Sequence, residues 1–168
     1  MENAGIFGPS KSGKTTLAKA LSAEYWRTQK LKSLVLDPWL ENWGSHAVVL
    51  NDEDKFWAAV WASKNCVVIV EEATQTINRN RDLNKVFTAI RHNHHNLIVV
   101  GHNGSSLLPI MRQQLEKLYL FLQSEKAAKI WVEETACPQL LQATTLGQYE
   151  FLFYKRFSPV RRLKLSPP

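Results

Sequence analysis

Short apolar runs punctuate the chain at residues 4–7, 66–70, 97–100 and 118–122. The run 66–70, Cys-Val-Val-Ile-Val, has no polar position on either face. Such runs suit strands buried on both sides in a parallel sheet. Residues 33–36, Ser-Leu-Val-Leu, read as a further strand ending at Asp37, where Pro38 forces a turn. Residues 149–154 alternate weakly and predict a strand at the sheet edge. Between these runs the period lengthens. Leu17, Ala20, Leu21 and Tyr25 recur at helical spacing over 14–29. Asp52 is a natural N-cap for a helix over 52–63 with Phe56, Val60 and Trp61 facing inward. Residues 82–92, 107–115 and 126–134 predict three more helices, 39–44 and 74–80 loops, and Pro138 a turn. Strands alternating with helices imply a three-layer α/β/α sandwich around a mostly parallel sheet. At 168 residues the chain reads as one domain, 1–168, closing on a basic segment, 155–168.

The first strand runs into Gly8, Pro9, Ser10, Lys11, Ser12, Gly13, Lys14 and Thr15, a full match to Gly-x-x-x-x-Gly-Lys-Ser/Thr. In this pattern backbone N–H groups turn toward a phosphate, and the following helix adds the positive end of its dipole. Lys14 is the expected contact to β- and γ-phosphates, and the Thr15 hydroxyl a ligand of Mg²⁺, with Thr16 completing the nucleotide-binding stretch. A strand before and a helix after separate this match from a chance glycine-rich turn. The motif makes the fold a P-loop NTPase of the RecA/ASCE type, with ATP and Mg²⁺ as expected cofactors.

Glu71 and Glu72 end the 66–70 run. Glu71 reads as the carboxylate that holds Mg²⁺ through water, and Glu72 as the catalytic base. The simpler alternative is an acidic pair capping a turn. Past the 97–100 run, Asn103 is placed to touch the γ-phosphate, with His102 as its rival. Asn103-Gly104 is also a strong turn dipeptide. No arginine lies within the phosphate loop, so one from a neighbouring subunit is expected, worth roughly 10³–10⁵ in rate. Arg79, Arg81, Arg91 and Arg112 are candidates, Arg91 foremost.

The net charge of +6 suggests a polyanionic partner, and Lys155, Arg156, Arg161, Arg162 and Lys164 follow the last acid, Glu150. No apolar run approaches the roughly 20 residues that span a bilayer. The first seven residues lack the pattern of a secretory signal. Cys66 and Cys137 form no disulfide framework, Cys66 reading as a buried small residue, so a reducing, intracellular setting is expected. His92, His94 and His95 match no standard zinc spacing and read as a polar loop. Of six tryptophans, Trp39 and Trp43 lie in the loop after Asp37 as candidates to stack on a base, whereas Trp57 and Trp61 read as core.

The ordered set is the phosphate loop at Gly8–Thr15, Glu71-Glu72, Arg91-His92, Asn103, Leu107-Leu108-Pro109 and a late Gln148-Tyr149-Glu150-Phe151 strand. It resembles the HerA/FtsK superfamily of DNA-pumping ATPases over nearly the whole chain. Within that superfamily it is most similar to genome-packaging ATPases of tailless icosahedral viruses with an internal membrane. A glutamine usually stands where this chain has Asn103. The resemblance implies a homo-oligomeric ring, a hexamer by expectation, with ATP sites between subunits and double-stranded DNA in the channel. It also implies docking to viral capsid vertex components, at the virion packaging vertex or in the host cytoplasm. Arg91 would be the trans arginine, with Arg79 or Arg81 second. The alternatives are a small nucleoside or nucleotide kinase, a morphogenesis ATPase of the filamentous-phage type, similar to zonula occludens toxin, and a non-catalytic module that retains nucleotide for stability. A kinase would need an arginine-rich lid, yet residues 107–123 carry only Arg112.

Overall fold

A strand with no polar face must be covered on both sides, and that requirement organises the molecule. The computed structural model describes residues 2–72 and 83–166. Its strands are β1 (Asn3–Phe7), β2 (Ser33–Leu36), β3 (Ala47–Leu50), β4 (Val67–Val70), β5 (Asn96–Gly101), β6 (Lys117–Leu120), β7 (Glu150–Lys155) and β8 (Arg161–Lys164). They form one eight-stranded sheet in the order β3-β2-β4-β5-β1-β6-β7-β8. Pairings from β3 across to β6 are parallel, and β6-β7-β8 are antiparallel. The helices are α1 (Lys14–Gln29), α2 (Glu53–Ala62), α3 (Leu83–His92), α4 (Pro109–Gln113) and α5 (Glu125–Thr135).

Alternation along each strand sorts side chains into two cores. Phe7, Val68, Val70, Leu97, Val99, Leu118 and Leu120 face one side, where Phe56 and Val60 of α2, Phe87 and Ile90 of α3 and Trp131 of α5 cover them. Ile6, Val67, Ile69, Ile98, Val100 and Tyr119 face the other, under Leu17 and Ala18 of α1. Phe7 lies against Trp131 with ring centroids 4.9 Å apart. Truncating a fully buried aromatic of this kind costs about 3–5 kcal/mol.

The expected α/β/α architecture and parallel sheet are present, and several local readings need correction. β3 is not among the strands read from the sequence; it is a margin strand, Ala-Val-Val-Leu, with Val48 exposed and its other side chains half-buried. β7 is not the edge. β8 pairs outside it, with every residue exposed and three of its four residues basic. Charge on an outermost strand blocks further pairing, which is how the basic segment comes to be sheet rather than a loose tail. Trp61 is 43% exposed, since α2 caps the β2–β3 margin and only Phe56 and Val60 reach the core. Ala20 faces solvent, and the inward face of α1 runs through Leu17, Ala18 and Ser22. Cys66 is only half-buried, its thiol donating to the Lys64 carbonyl. Asp52 does cap α2, accepting from the Lys55 N–H at 2.9 Å.

His95 lies in the α3–β5 loop, as expected, but does not face solvent. Its ring is completely buried. Nδ1 accepts from the Cys66 N–H at 3.1 Å, so the proton sits on Nε2, which donates to the Val60 carbonyl at 3.1 Å. The neutral ring thus ties the end of α2 to the start of β4. Burial pushes its pKa below the ordinary imidazole value of 6.5. Once unfolded, the ring protonates near that ordinary value, so below it the unfolded chain holds more protons and stability falls with acid. The melting temperature should therefore drop between pH 7 and pH 5, and less steeply in His95→Gln. Parallel slopes in calorimetry would remove His95 from the acid response.

Candidate functional site

The phosphate loop leaves the end of β1 beside the end of β5, and the Gly8 N–H donates to the Gly101 carbonyl at 3.2 Å. Gly8 must be glycine for want of space, because a Cβ there would lie 2.5 Å from Cβ of Phe121. Gly13 has φ 106, in the left-handed region. A Cβ on it would also press on Tyr149 at 3.0 Å and Leu165 at 3.1 Å. The Leu165 N–H is bonded to the Tyr149 carbonyl at 2.9 Å, so the chain's end folds over the phosphate loop. Helix α1 begins at once, with no side-chain cap and no acid in its first turn. Its first N–H groups therefore have no carboxylate competing with an anion.

Lys14 is buried, and its ammonium donates to the Pro9 carbonyl at 2.7 Å. Desolvation lowers its pKa, while the charges of Glu72 and Glu71 act to raise it. Glu71 is 6% exposed. Burial pushes its pKa to about 7, the charges of Asp37 and Glu72 adding to the rise, while the Thr15 hydroxyl bonded to it and Lys14 oppose it. Its Oε1 is buried without a hydrogen-bond partner among the described residues. A hydroxyl and a carboxylate side by side, one oxygen unspent, are hard donors of the kind Mg²⁺ takes. The residues present therefore fit the ion.

β5 lies between β1 and β4, so the strands that carry the acids and the phosphate loop run about 10 Å apart, and the Glu71 side chain reaches back to Thr15. The end of β5 occupies the gap. His102 Nε2 lies 3.4 Å from Glu72 Oε2. His102 and Asn103 line one cleft with Pro9, Ser10, Gln123 and Ser124, about 330 Å³ in volume. The Asn103 carboxamide oxygen accepts from the Ser105 and Ser106 hydroxyls.

Arg91 sits at the other end of the sheet. It pairs with Glu116 at 2.7 Å. The Glu116 N–H bonds the carbonyl of Asn3, the first residue of β1, whereas the phosphate loop follows the last. The length of β1, roughly 13–17 Å at strand rise, separates Arg91 from its own phosphate site. Arg112 is consumed internally by Glu134 at 2.9 Å and by the carbonyls of Gly104 and Leu107. Arg79 and Arg81, with the 74–80 loop, lie outside the described residues.

Trp43 cannot stack on a base. It is 4% exposed, and its indole N–H donates to Asp37 at 3.0 Å. Trp39 is exposed. Asp37 also accepts from the Trp39 and Glu41 N–H groups, anchoring the loop after β2 and adding to the charge against Glu71. The signal for that role was present in Asp37-Pro38, an acid placed to bond main chain two residues on. Gln123 was not foreseen. Its buried amide bonds the Phe121 and Leu122 carbonyls beside the cleft.

The architecture is that of the P-loop ATPases. No family model and no curated protein sequence matches the chain. Solved structures do. The DNA-packaging ATPase of Sulfolobus turreted icosahedral virus superposes with a TM-score of 0.78 at 22% identity, covering 97% of each chain. VirB4 of Thermoanaerobacter pseudethanolicus gives 0.74 at 11% identity, over 99% of this chain and 90% of that one. The N-terminal domain of zonular occludens toxin from Neisseria meningitidis gives 0.61 at 16% identity, over 98% and 93%. The chain therefore shares its fold with these ATPases, as the expected α/β/α architecture requires. No helix among the described residues is long and apolar enough to cross a membrane.

The raised pKa of Glu71 has a stability consequence. Between its unfolded value near 4.5 and its folded value of about 7, the folded chain keeps a proton that the unfolded chain has released. Stability from this group is therefore lost as pH rises through that window. Glu71→Gln cannot ionise and should melt higher than the parent at pH 8, without metal or nucleotide. The gap should close below pH 4.5. A gap constant with pH would point to packing instead.

Proposed function

We propose that this chain is an ATP-hydrolysing motor that translocates double-stranded DNA, serving to package a viral genome into a preformed capsid. The observation that carries the enzymatic part is the placement of Glu71 and Glu72 across β5 from the phosphate loop, with Glu71 bonded to Thr15. The DNA part is supported by the basic charge, by the motif order, and by likeness over 97% of the chain to a DNA-packaging ATPase.

In this reading residues Gly8 to Thr16 cradle the triphosphate of ATP, and Lys14 neutralises its β/γ oxygens. Thr15 and, through water, Glu71 hold Mg²⁺, which when bound screens the phosphate charge. Glu72 takes a proton from the attacking water as that oxygen bonds to the γ-phosphorus and the bond to the bridging oxygen breaks, releasing ADP. Asn103 addresses the γ-phosphate through its amide nitrogen, its oxygen being held by the serines. Arg91 lies too far along the sheet to serve its own site, which suits delivery to a neighbour in a ring, taken here as a hexamer. Docking at a capsid vertex belongs to the same proposal.

A kinase reading loses support from Arg112, which Glu134 holds away from any lid role. The DNA contact should be electrostatic and indifferent to sequence, with affinity falling steeply with salt. Arg161 lies over the Phe153 ring and Arg162 pairs with Glu150, so neutralising both with Lys164 tests a folded edge strand.

Turnover measured with and without duplex DNA is the primary test, and DNA should stimulate it. Lys14→Ala should abolish hydrolysis and weaken ATP binding. Glu72→Gln should bind ATP and not turn it over. Arg91→Ala should also bind ATP without turnover, and mixing it with Glu72→Gln protein should restore activity at interfaces pairing an intact Glu72 with an intact Arg91. A dead mixture, with activity per chain flat on dilution, would sink the trans arginine. Turnover indifferent to DNA would sink the motor.

A further inference from the structure

We propose that His102 is the positioning residue for Glu72, orienting the carboxylate beside the end of β5. The inference rests on the reading of Glu72 as the base. Strand order creates the opportunity: β5 alone lies between the strand that carries the phosphate loop and the strand that carries the acids. The register Val70↔Val99, continued past the strand ends, brings Glu72 level with Gly101, one residue before His102. The His102 Nε2 then lies 3.4 Å from Glu72 Oε2, and the ring shares its cleft with Pro9 and Ser10 of the phosphate loop.

Asn103, the other polar group at this strand end, is differently employed. Its side-chain oxygen takes two serine hydroxyls and shapes the turn that follows. That turn is locked from behind, because a Cβ on Gly104 would lie 2.2 Å from the Trp131 ring. His102 is thus presented from a fixed turn. Glu72 needs such a fixed partner. Its φ is 51, a left-handed conformation that a glutamate adopts only when its surroundings hold it there. The His102 imidazole, 3.4 Å from Glu72 Oε2, is close enough to orient that carboxylate as a small movement closes the contact. His102 acts through Glu72 and needs no contact with the nucleotide.

The test is a set of His102 variants read by kcat, ATP affinity and NMR. His102→Ala should lower kcat on the order of 100-fold, the cost of a misplaced reacting group, and leave the ATP dissociation constant within about twofold. His102→Gln, which restores an N–H donor, should recover most of the rate. In a Glu72→Gln background His102→Ala should have no further effect on residual turnover. An equal loss in both backgrounds, or a loss of affinity matching the loss of rate, overturns the proposal. The imidazole nitrogen shifts of His102 in the nucleotide-free protein test the contact without catalysis. They should move in Glu72→Gln, and unmoved shifts also overturn it. A parent chain that fails to hydrolyse ATP while those shifts do move would refute the ATPase reading and leave the contact standing.

Discussion

Parallel pairing of β1 with β5 on one side and β6 on the other is the constraint on which everything else depends. Parallel strands deliver all their C-terminal ends to one edge. The phosphate loop, the two acids, the loop anchored by Asp37 and the turn after β5 arrive at that edge from distant parts of the chain because of this pairing. The same sheet places Arg91, Glu116 and the turn between β7 and β8 at the opposite edge. A molecule polarised in this way can offer a neighbour groups that its own site cannot use, which is the geometric basis for expecting a ring.

The phosphate edge is electrostatically strained. Glu71 and Glu72 act on one ammonium, Lys14, while Asp37 and Glu72 act on the buried Glu71. Glu71 responds by holding its proton to about pH 7. Such a cluster destabilises the fold, and in the proposed reading a divalent cation would supply the positive charge that it lacks. Several polar groups elsewhere are well paired. His95 has both ring nitrogens on main chain, Arg112 spans Glu134 and two carbonyls, and Glu2 pairs with Lys117 and Lys155.

The basic segment changes meaning once folded. Read linearly, it is a run of cations after the last acid. In three dimensions Arg161 covers an aromatic ring, Arg162 answers Glu150, and Leu165 reaches back to press on Gly13. The segment is a sheet edge and a cover for the phosphate loop, so its charge and its packing act together.

The linear order of residues by itself determined the phosphate loop, the strands buried on both faces and the α/β class, because each is written in local spacing: glycines around a lysine, apolar runs without a polar face, a 3.6-residue period. It also determined that Glu71 and Glu72 end a buried strand. Only the tertiary structure decided what those acids face. That β5 intervenes between β4 and β1, that His102 reaches Glu72 while Asn103 turns to the serines, and that Arg91 lies a full strand from its own phosphate site all follow from strand order and register, which no local pattern encodes. Trp43 and His95 make the same point: a tryptophan in a loop and a histidine in a polar run look exposed until long-range packing buries them and assigns their N–H groups. β3 and β8 stayed hidden for the complementary reason, since margin strands carry partial burial or charge, and it is the neighbouring strand's unpaired backbone that makes them sheet.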